Sequence, residues 1–256
     1  MRTGSRRSRT AEGVAALRAA GALERDPAHR NRDYLAGRFI GALFTLAVAW
    51  SPLRRAALRR VDRRLPGIYP FLTARTRRID EVLLAELESG VEQLVIIGAG
   101  ADDASPAAVL DRAGVARQAS TMFICEGVMP YLREDAVGTI LSTVTGFGAG
   151  SSIIFDYLFA DRLTDTSTGD DAAKYKRYVR RRDEPFVSGF DPRHVRDALA
   201  ARGLMLVSHL EPTELLHHYA GGNGHDAQLR GDRPCPIGHH DDGCGTVHLI
   251  FGFTPM

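Results

Sequence analysis

Little in this sequence points to an extracellular, fibrous or membrane-spanning protein. Only three cysteines, Cys125, Cys235 and Cys244, occur in 256 residues. They are too few for a disulfide framework and odd in number, which argues for a reducing compartment and a cytoplasmic location. The longest apolar run, Phe39 to Trp50, falls short of the roughly 18 residues that a spanning helix needs. The N-terminus MRTGSRRSRT is basic, but an Ala-rich pattern broken by charges follows it, not the apolar region of a signal peptide. No repeat of about 20 to 50 residues is visible, which removes solenoids and propellers. Net charge is only +2, and the arginines are not interleaved with an aromatic platform, so nucleic acid is not an expected partner.

What is present is average and therefore informative. Hydrophobic residues make up 44% and charged residues 25%, the composition of a folded globular chain. The length suits one large α/β domain or a domain with an appendage. Charge is unevenly placed: residues 1–80 hold eighteen arginines against six carboxylates. A basic front can face an anionic substrate, a membrane surface or water, and charge alone does not choose among them.

The first 90 residues read as helices. Thr10 is placed to cap a helix over Ala11 to Ala20, and Asp26-Pro27 breaks it. A second helix is expected from about Asn31 to Trp50, stopping before Pro52. From Pro52 to Arg64 the pattern PLRRAALRRVDRR sets Leu53, Ala57 and Val61 against arginines, an amphipathic basic helix. A lid, a membrane-surface helix and a helix packed on the core all satisfy that pattern. Leu72 to Glu88 has helical spacing and stops at Ser89-Gly90.

The texture then changes. Gln93 to Ile97 reads QLVII, a run suited to a buried parallel strand, and it ends in Gly98-Ala99-Gly100. Strands running into glycine turns are where α/β sheets bind nucleotides. The turn is G-x-G without the third glycine, since residue 103 is Asp, so the fingerprint is incomplete. Glycine there lets a ligand approach the backbone, or merely makes the turn. A helix over Ala107–Ala113, a strand over Thr121–Cys125, a helix over Glu134–Thr145 and a strand over Ser151–Phe155 complete a βαβαβ alternation and imply a parallel sheet. A helix over Asp191–Arg202, a strand over Leu204–His209, a polar loop and a strand over Thr246–Phe253 read as an antiparallel finish.

Several of these segments together resemble a known family. SRTAEGVAALRAAGALERDP, ARTRRIDEVL, QLVIIGAGADD, FICEGVMPYLRED and SSIIFDYL, in that order, are similar to the leucine carboxyl methyltransferases, including bacterial members of polyketide-biosynthesis type. The resemblance implies a class I methyltransferase-like, Rossmann-like α/β fold with a helical N-terminal cap, here residues 1–90, over a core of residues 91–256. It implies S-adenosylmethionine as cofactor and transfer of its methyl group to a carboxylate or hydroxyl oxygen of a small-molecule substrate. Carried over by position, Arg75 matches the arginine that pairs with the cofactor's carboxylate, and Gly98, Ala99 and Gly100 form the turn under its methionine part. Glu126 matches the glutamate at the end of the fourth strand, and Tyr131 the aromatic residue after it, on the substrate side.

The chain also departs from that family. Only 25 residues separate Gly100 from Glu126, and one crossover with its helix already takes a dozen or more. The second and third strands of the family's sheet do not fit, so the sheet is expected to be shortened, with Gln93–Ile97 near an edge. Asp102 and Asp103 are candidates to replace the lost ribose-binding carboxylate, and capping of the next helix accounts for them equally well. An unpaired edge strand also invites a homodimer.

The polar tail holds His217, His218 and His225, then Cys235, His239, His240, Asp241, Asp242 and Cys244. These are zinc-ligand types in no familiar spacing, and a solvated loop or one histidine acting as a base explains them as well. No metal site is assigned. Three functions stay open: an S-adenosylmethionine-dependent O-methyltransferase of secondary metabolism, a cofactor-independent cyclase or isomerase on a degenerate scaffold, and a non-catalytic binding protein.

Overall fold

The computed structural model describes residues 9–26, 30–98, 106–160, 163, 177–181, 184–220 and 245–251. Four helices come first: α1 (Arg9–Ala22), α2 (Ala42–Ala49), α3 (Ser51–Arg64) and α4 (Ile68–Glu88). The alternating part follows as β1 (Gln93–Ile96), α5 (Pro106–Arg112), β2 (Thr121–Cys125), α6 (Glu134–Val144) and β3 (Ser152–Tyr157). The chain ends with α7 (Val195–Ala200), β4 (Leu204–Leu210), α8 (Pro212–Ala220) and β5 (Gly245–Phe251).

The strands form one sheet in the order β1-β2-β3-β5-β4, and all four ladders are parallel. Burial follows position. Every residue of β2 and β3 is buried, as expected for strands covered on both faces. In β1 half-buried and exposed residues alternate, because β2 is its sole neighbour among the described residues. The expected edge position of this strand is what the sheet has.

Two apolar layers sandwich the sheet. On one face Phe71, Leu72, Ile79 and Val82 of α4 meet Met122, Ile124 and Ile154. On the other Val137, Ile140, Leu141 and Val144 of α6 meet Phe123, Cys125, Ile153 and Phe155. The α4 spacing of three and four residues sets these side chains on one stripe of the helix.

Two expectations need correction. The single helix expected over residues 31–50 is interrupted. Asn31 Oδ1 accepts the Asp33 N–H, and Asp33 Oδ1 accepts those of Leu35 and Ala36. These local bonds compete with the helical ladder and produce a 3₁₀ turn at Ala36–Phe39, after which Gly41 restarts the chain into α2. The C-terminal strands are also parallel, not antiparallel. The segment PTELLHHYA, read as part of a loop, is α8. A crossover helix returns the chain to the end of the sheet from which it started, as parallel pairing demands.

α8 is held by Leu215, which is fully buried against the α4 side of the sheet. Leu215→Ala is expected to lower unfolding free energy by about 2–5 kcal/mol. Urea denaturation checks this, and a cost of about 0.5 kcal/mol or less would place Leu215 on the surface.

Candidate functional site

The C-terminal ends of β1, β2 and β3 carry Gly98, Glu126 and Asp156, at the rim where open α/β sheets bind ligands. Arginines reach this rim from the helical layer. Arg75, in the middle of α4, donates from Nη1 to Asp156 Oδ2 at 2.5 Å and from Nη2 to Glu126 Oε1 at 2.7 Å. Arg18 of α1 donates to Glu126 Oε2 at 2.6 Å, and its Nε lies 2.7 Å from Asp33 Oδ2. Asp156 Oδ1 accepts the Gly127 N–H at 2.6 Å. Gly127 has φ +65°, a left-handed conformation that glycine adopts without strain, and this turns its N–H toward the carboxylate.

Arg75 and Asp156 are both buried, at 6% and 4% exposure, so the cluster depends on mutual compensation. Two guanidinium groups face the three carboxylates of Asp33, Glu126 and Asp156. Burial pushes Glu126 up, but Arg75 and Arg18 outweigh it and hold the carboxyl below its usual range. At Asp156 burial prevails over Arg75 and the Gly127 amide, and the carboxyl is raised. Asp80 on α4 is raised as well, first by burial, with Arg18 and Arg32 opposing the rise and Asp33 and Glu126 adding to it. The neighbourhood is therefore rich in negative charge.

Of the residues singled out in the sequence, Arg75 and Glu126 are brought into direct contact. Gly98 stands exposed at the end of β1, and a Cβ there would meet no atom of a described residue within 4 Å. Its φ is not positive, so neither packing nor backbone conformation demands glycine. Tyr131 lies in the 3₁₀ turn Met129–Tyr131, its ring 5.1 Å from that of Phe186. Ala99, Gly100, Asp102 and Asp103 lie outside the described residues, as do His225 and the Cys235–Cys244 stretch. Among the described residues no group of three His, Cys, Asp or Glu is placed to hold a metal.

Sequence reasoning missed Arg18, Asp33 and Asp156 as partners. Asp156 had a signal, a carboxylate ending a buried strand, whereas the pairing of Arg18 with residue 126 left none. It also missed a second polar pair: Tyr157 Oη lies 2.8 Å from His209 Nε2, with the rings nearly parallel. Burial raises the Tyr157 hydroxyl far above its usual value, so it stays protonated. An open cleft of about 520 Å³ is lined by Arg117, Asp135, Thr139, Ser142 and Arg202. It shares no residue with the rim cluster. Arg117 precedes β2 and Gly146, which also lines the cleft, precedes β3, so the cleft opens at the opposite end of the strands.

Residues 11–105 match the leucine carboxyl methyltransferase family model. The match runs from α1 through β1 and on to residue 105, and so includes Arg18, Asp33, Arg75 and Gly98. Members of this methyltransferase family generally use S-adenosylmethionine. No curated protein matches the chain.

The site residues fit one end of that cofactor. Space is open at Gly98 among the described residues, and of the two rim carboxylates Glu126, held below its usual range, is the one suited to an ammonium or sulfonium, although both of its oxygens are engaged by Arg75 and Arg18. Arg75 is engaged by two carboxylates, so pairing with the cofactor's own carboxylate requires it to exchange one of them. No carboxylate for the ribose stands on the outer side of β1 among the described residues.

Removing Arg75 leaves the buried Asp156 without a cationic partner and Glu126 with Arg18 alone. Arg75→Ala is expected to cost about 3–5 kcal/mol at pH 7, with part recovered in the Arg75→Ala/Asp156→Asn double variant, both read by urea unfolding. The two carboxylates have opposite pH signatures. Glu126, lowered on folding, contributes stability above its ordinary value of 4.5 that is lost as pH falls through its folded value. Asp156, raised on folding, contributes stability below its ordinary value of 3.8 that is lost as pH rises through its folded value. Glu126→Gln should therefore flatten the acid limb of the stability profile, and Asp156→Asn the decline above it. A profile left unchanged by both substitutions would contradict this assignment.

Proposed function

We propose that this protein is an S-adenosylmethionine-dependent O-methyltransferase acting on a carboxyl or hydroxyl group of a small, polyketide-like secondary metabolite in the cytoplasm. The single observation that carries the reading is the Arg75–Glu126 pair at the sheet rim: two residues picked from the family pattern, 51 positions apart, in direct hydrogen-bond contact. The match over residues 11–105 supports the same class of chemistry.

When bound, the cofactor supplies a sulfonium-linked methyl group, so the protein's task is chiefly to hold and orient. In this reading Gly98, Ala99 and Gly100 let the methionine part lie against the backbone. Glu126 faces its positive groups. Arg75 fixes Glu126 and Asp156 and receives the anionic end by exchange, the bidentate contact for which guanidinium geometry is suited. Asp102 or Asp103 takes the ribose hydroxyls. Residues 1–90 form the cap over the 91–256 core, and Tyr131 stands on the substrate side.

A second reading draws on the Tyr157–His209 pair, a neutral hydroxyl against an imidazole. That is the equipment of acid–base catalysis, and it suits a cofactor-independent cyclase or isomerase on the same scaffold.

Isothermal titration of S-adenosylmethionine and S-adenosylhomocysteine into dialysed protein separates the two. Methyl transfer predicts a Kd of about 1 μM, or about −8 kcal/mol. Gly98→Val should weaken binding at least about tenfold, some 1.4 kcal/mol, with little change in melting temperature, because its side chain enters space that no described residue fills. Absence of heat at millimolar ligand would overturn the proposal and leave the acid–base reading.

A further inference from the structure

We propose that the α2–α3 unit docks the protein on an anionic lipid surface. The inference is independent of the methyl-transfer reading and begins with an anomaly of burial. α2, with the sequence ALFTLAVA, buries none of its residues. Leu43, Leu46 and Trp50 follow at i, i+3 and i+7, which sets them on one stripe, and they are 79%, 59% and 60% exposed. Tyr34, Leu35 and Phe39, just before α2, are also largely exposed. A continuous sequence of large apolar side chains standing in water is costly and marks an interaction surface.

The chain passes from this stripe directly into α3, which carries Arg55, Arg59, Arg60, Arg63 and Arg64 exposed against the lone acid Asp62. Arg54 binds the two helices together by donating to the Val48 carbonyl at 2.7 Å. Trp, Phe and Leu beside a row of arginines is the composition of helices that lie in the headgroup region of a bilayer. α2 is about 12 Å long at 1.5 Å per residue, so it rests in the interface plane. Consistently, no described helix is long and apolar enough to cross a membrane.

Other occupants fit less well. The long stretches outside the described residues, 164–176 and 221–244, hold only Leu229 and Ile237 between them as large aliphatic residues, too little to cover this stripe. A second copy docked about a twofold axis that also runs along α3 would oppose the arginines of both copies, and like charges across an interface are unfavourable. The apolar side chains protrude from a convex helix instead of lining a groove. A lipid interface yields to such protrusions without needing a matching shape.

Trp50 is the only tryptophan in the chain, so its emission reports directly. Full-length protein is titrated with vesicles of phosphatidylcholine alone and of phosphatidylcholine with 30% phosphatidylglycerol, at about 0.1 and 0.5 M salt. The expected result is a blue shift of Trp50 with the anionic vesicles, weakened at high salt. Each arginine near the surface is worth about fivefold in affinity, so replacing the five exposed arginines of α3 by glutamine should reduce binding more than about a hundredfold. Leu43→Ser/Leu46→Ser should reduce it at least about tenfold, with circular dichroism of both variants unchanged.

A Trp50 spectrum indifferent to either vesicle overturns the proposal. So does adsorption that the Leu43→Ser/Leu46→Ser variant retains in full, which would mean a charge effect without insertion. A lipid-free Trp50 shift that grows with protein concentration, together with dimers in sedimentation, assigns the patch to a second copy and equally overturns it.

Discussion

The guanidinium group of Arg75 is the tie between the two halves of this molecule. It comes from a helix of the N-terminal layer, and its two terminal nitrogens are spent on carboxylates that end adjacent strands of the sheet. A buried cation of this kind is tolerated only with full compensation, and the same holds for the carboxylates it serves. The consequence is a fixed registry: α4 cannot slide on the sheet without exposing three buried charges to an apolar layer. Arg18 extends the tie to α1, so two helices are keyed to the rim by charge while Phe71, Leu72 and Val82 supply apolar area that is less particular about position.

The rim is thereby both a structural joint and the place where ligand chemistry is expected. Holding Glu126 ionised with two arginines while Asp156 is pushed toward its neutral form separates two carboxylates that share one partner. Any ligand that brings its own anion must compete for Arg75, so binding and the integrity of the joint are coupled.

Much of this was legible in the sequence. Unbroken β-rich runs gave the bounds of β2, and those of β3 to within two residues, since central parallel strands are apolar on both faces, and the short interval between Gly100 and Glu126 pointed to the edge position of β1. Arg75 and Glu126 were legible through motif order. What escaped had other causes. The Asn31 and Asp33 side chains broke a helix by local hydrogen bonds that apolar spacing does not register. α8 was hidden because the histidines of PTELLHHYA read together with the Gly- and His-rich stretch that follows, and with it the direction of β5 was lost. Asp156 and Arg18 became partners only through folding, and the distance of 108 residues between Arg18 and Glu126 is invisible to any local pattern.

The position of β5 has a consequence for how the chain acquires its fold. It is the last described strand in sequence, yet it lies inside the sheet, between β3 and β4. During synthesis β4 therefore emerges with no neighbour to pair with, and its alternating buried face has to wait. Only when residues 245–251 leave the ribosome can two ladders form in one insertion, joining the β1-β2-β3 block to the final strand. Closure is a late, non-local event of the kind that slows folding, and a chain cut short before residue 245 would forfeit not one strand but two.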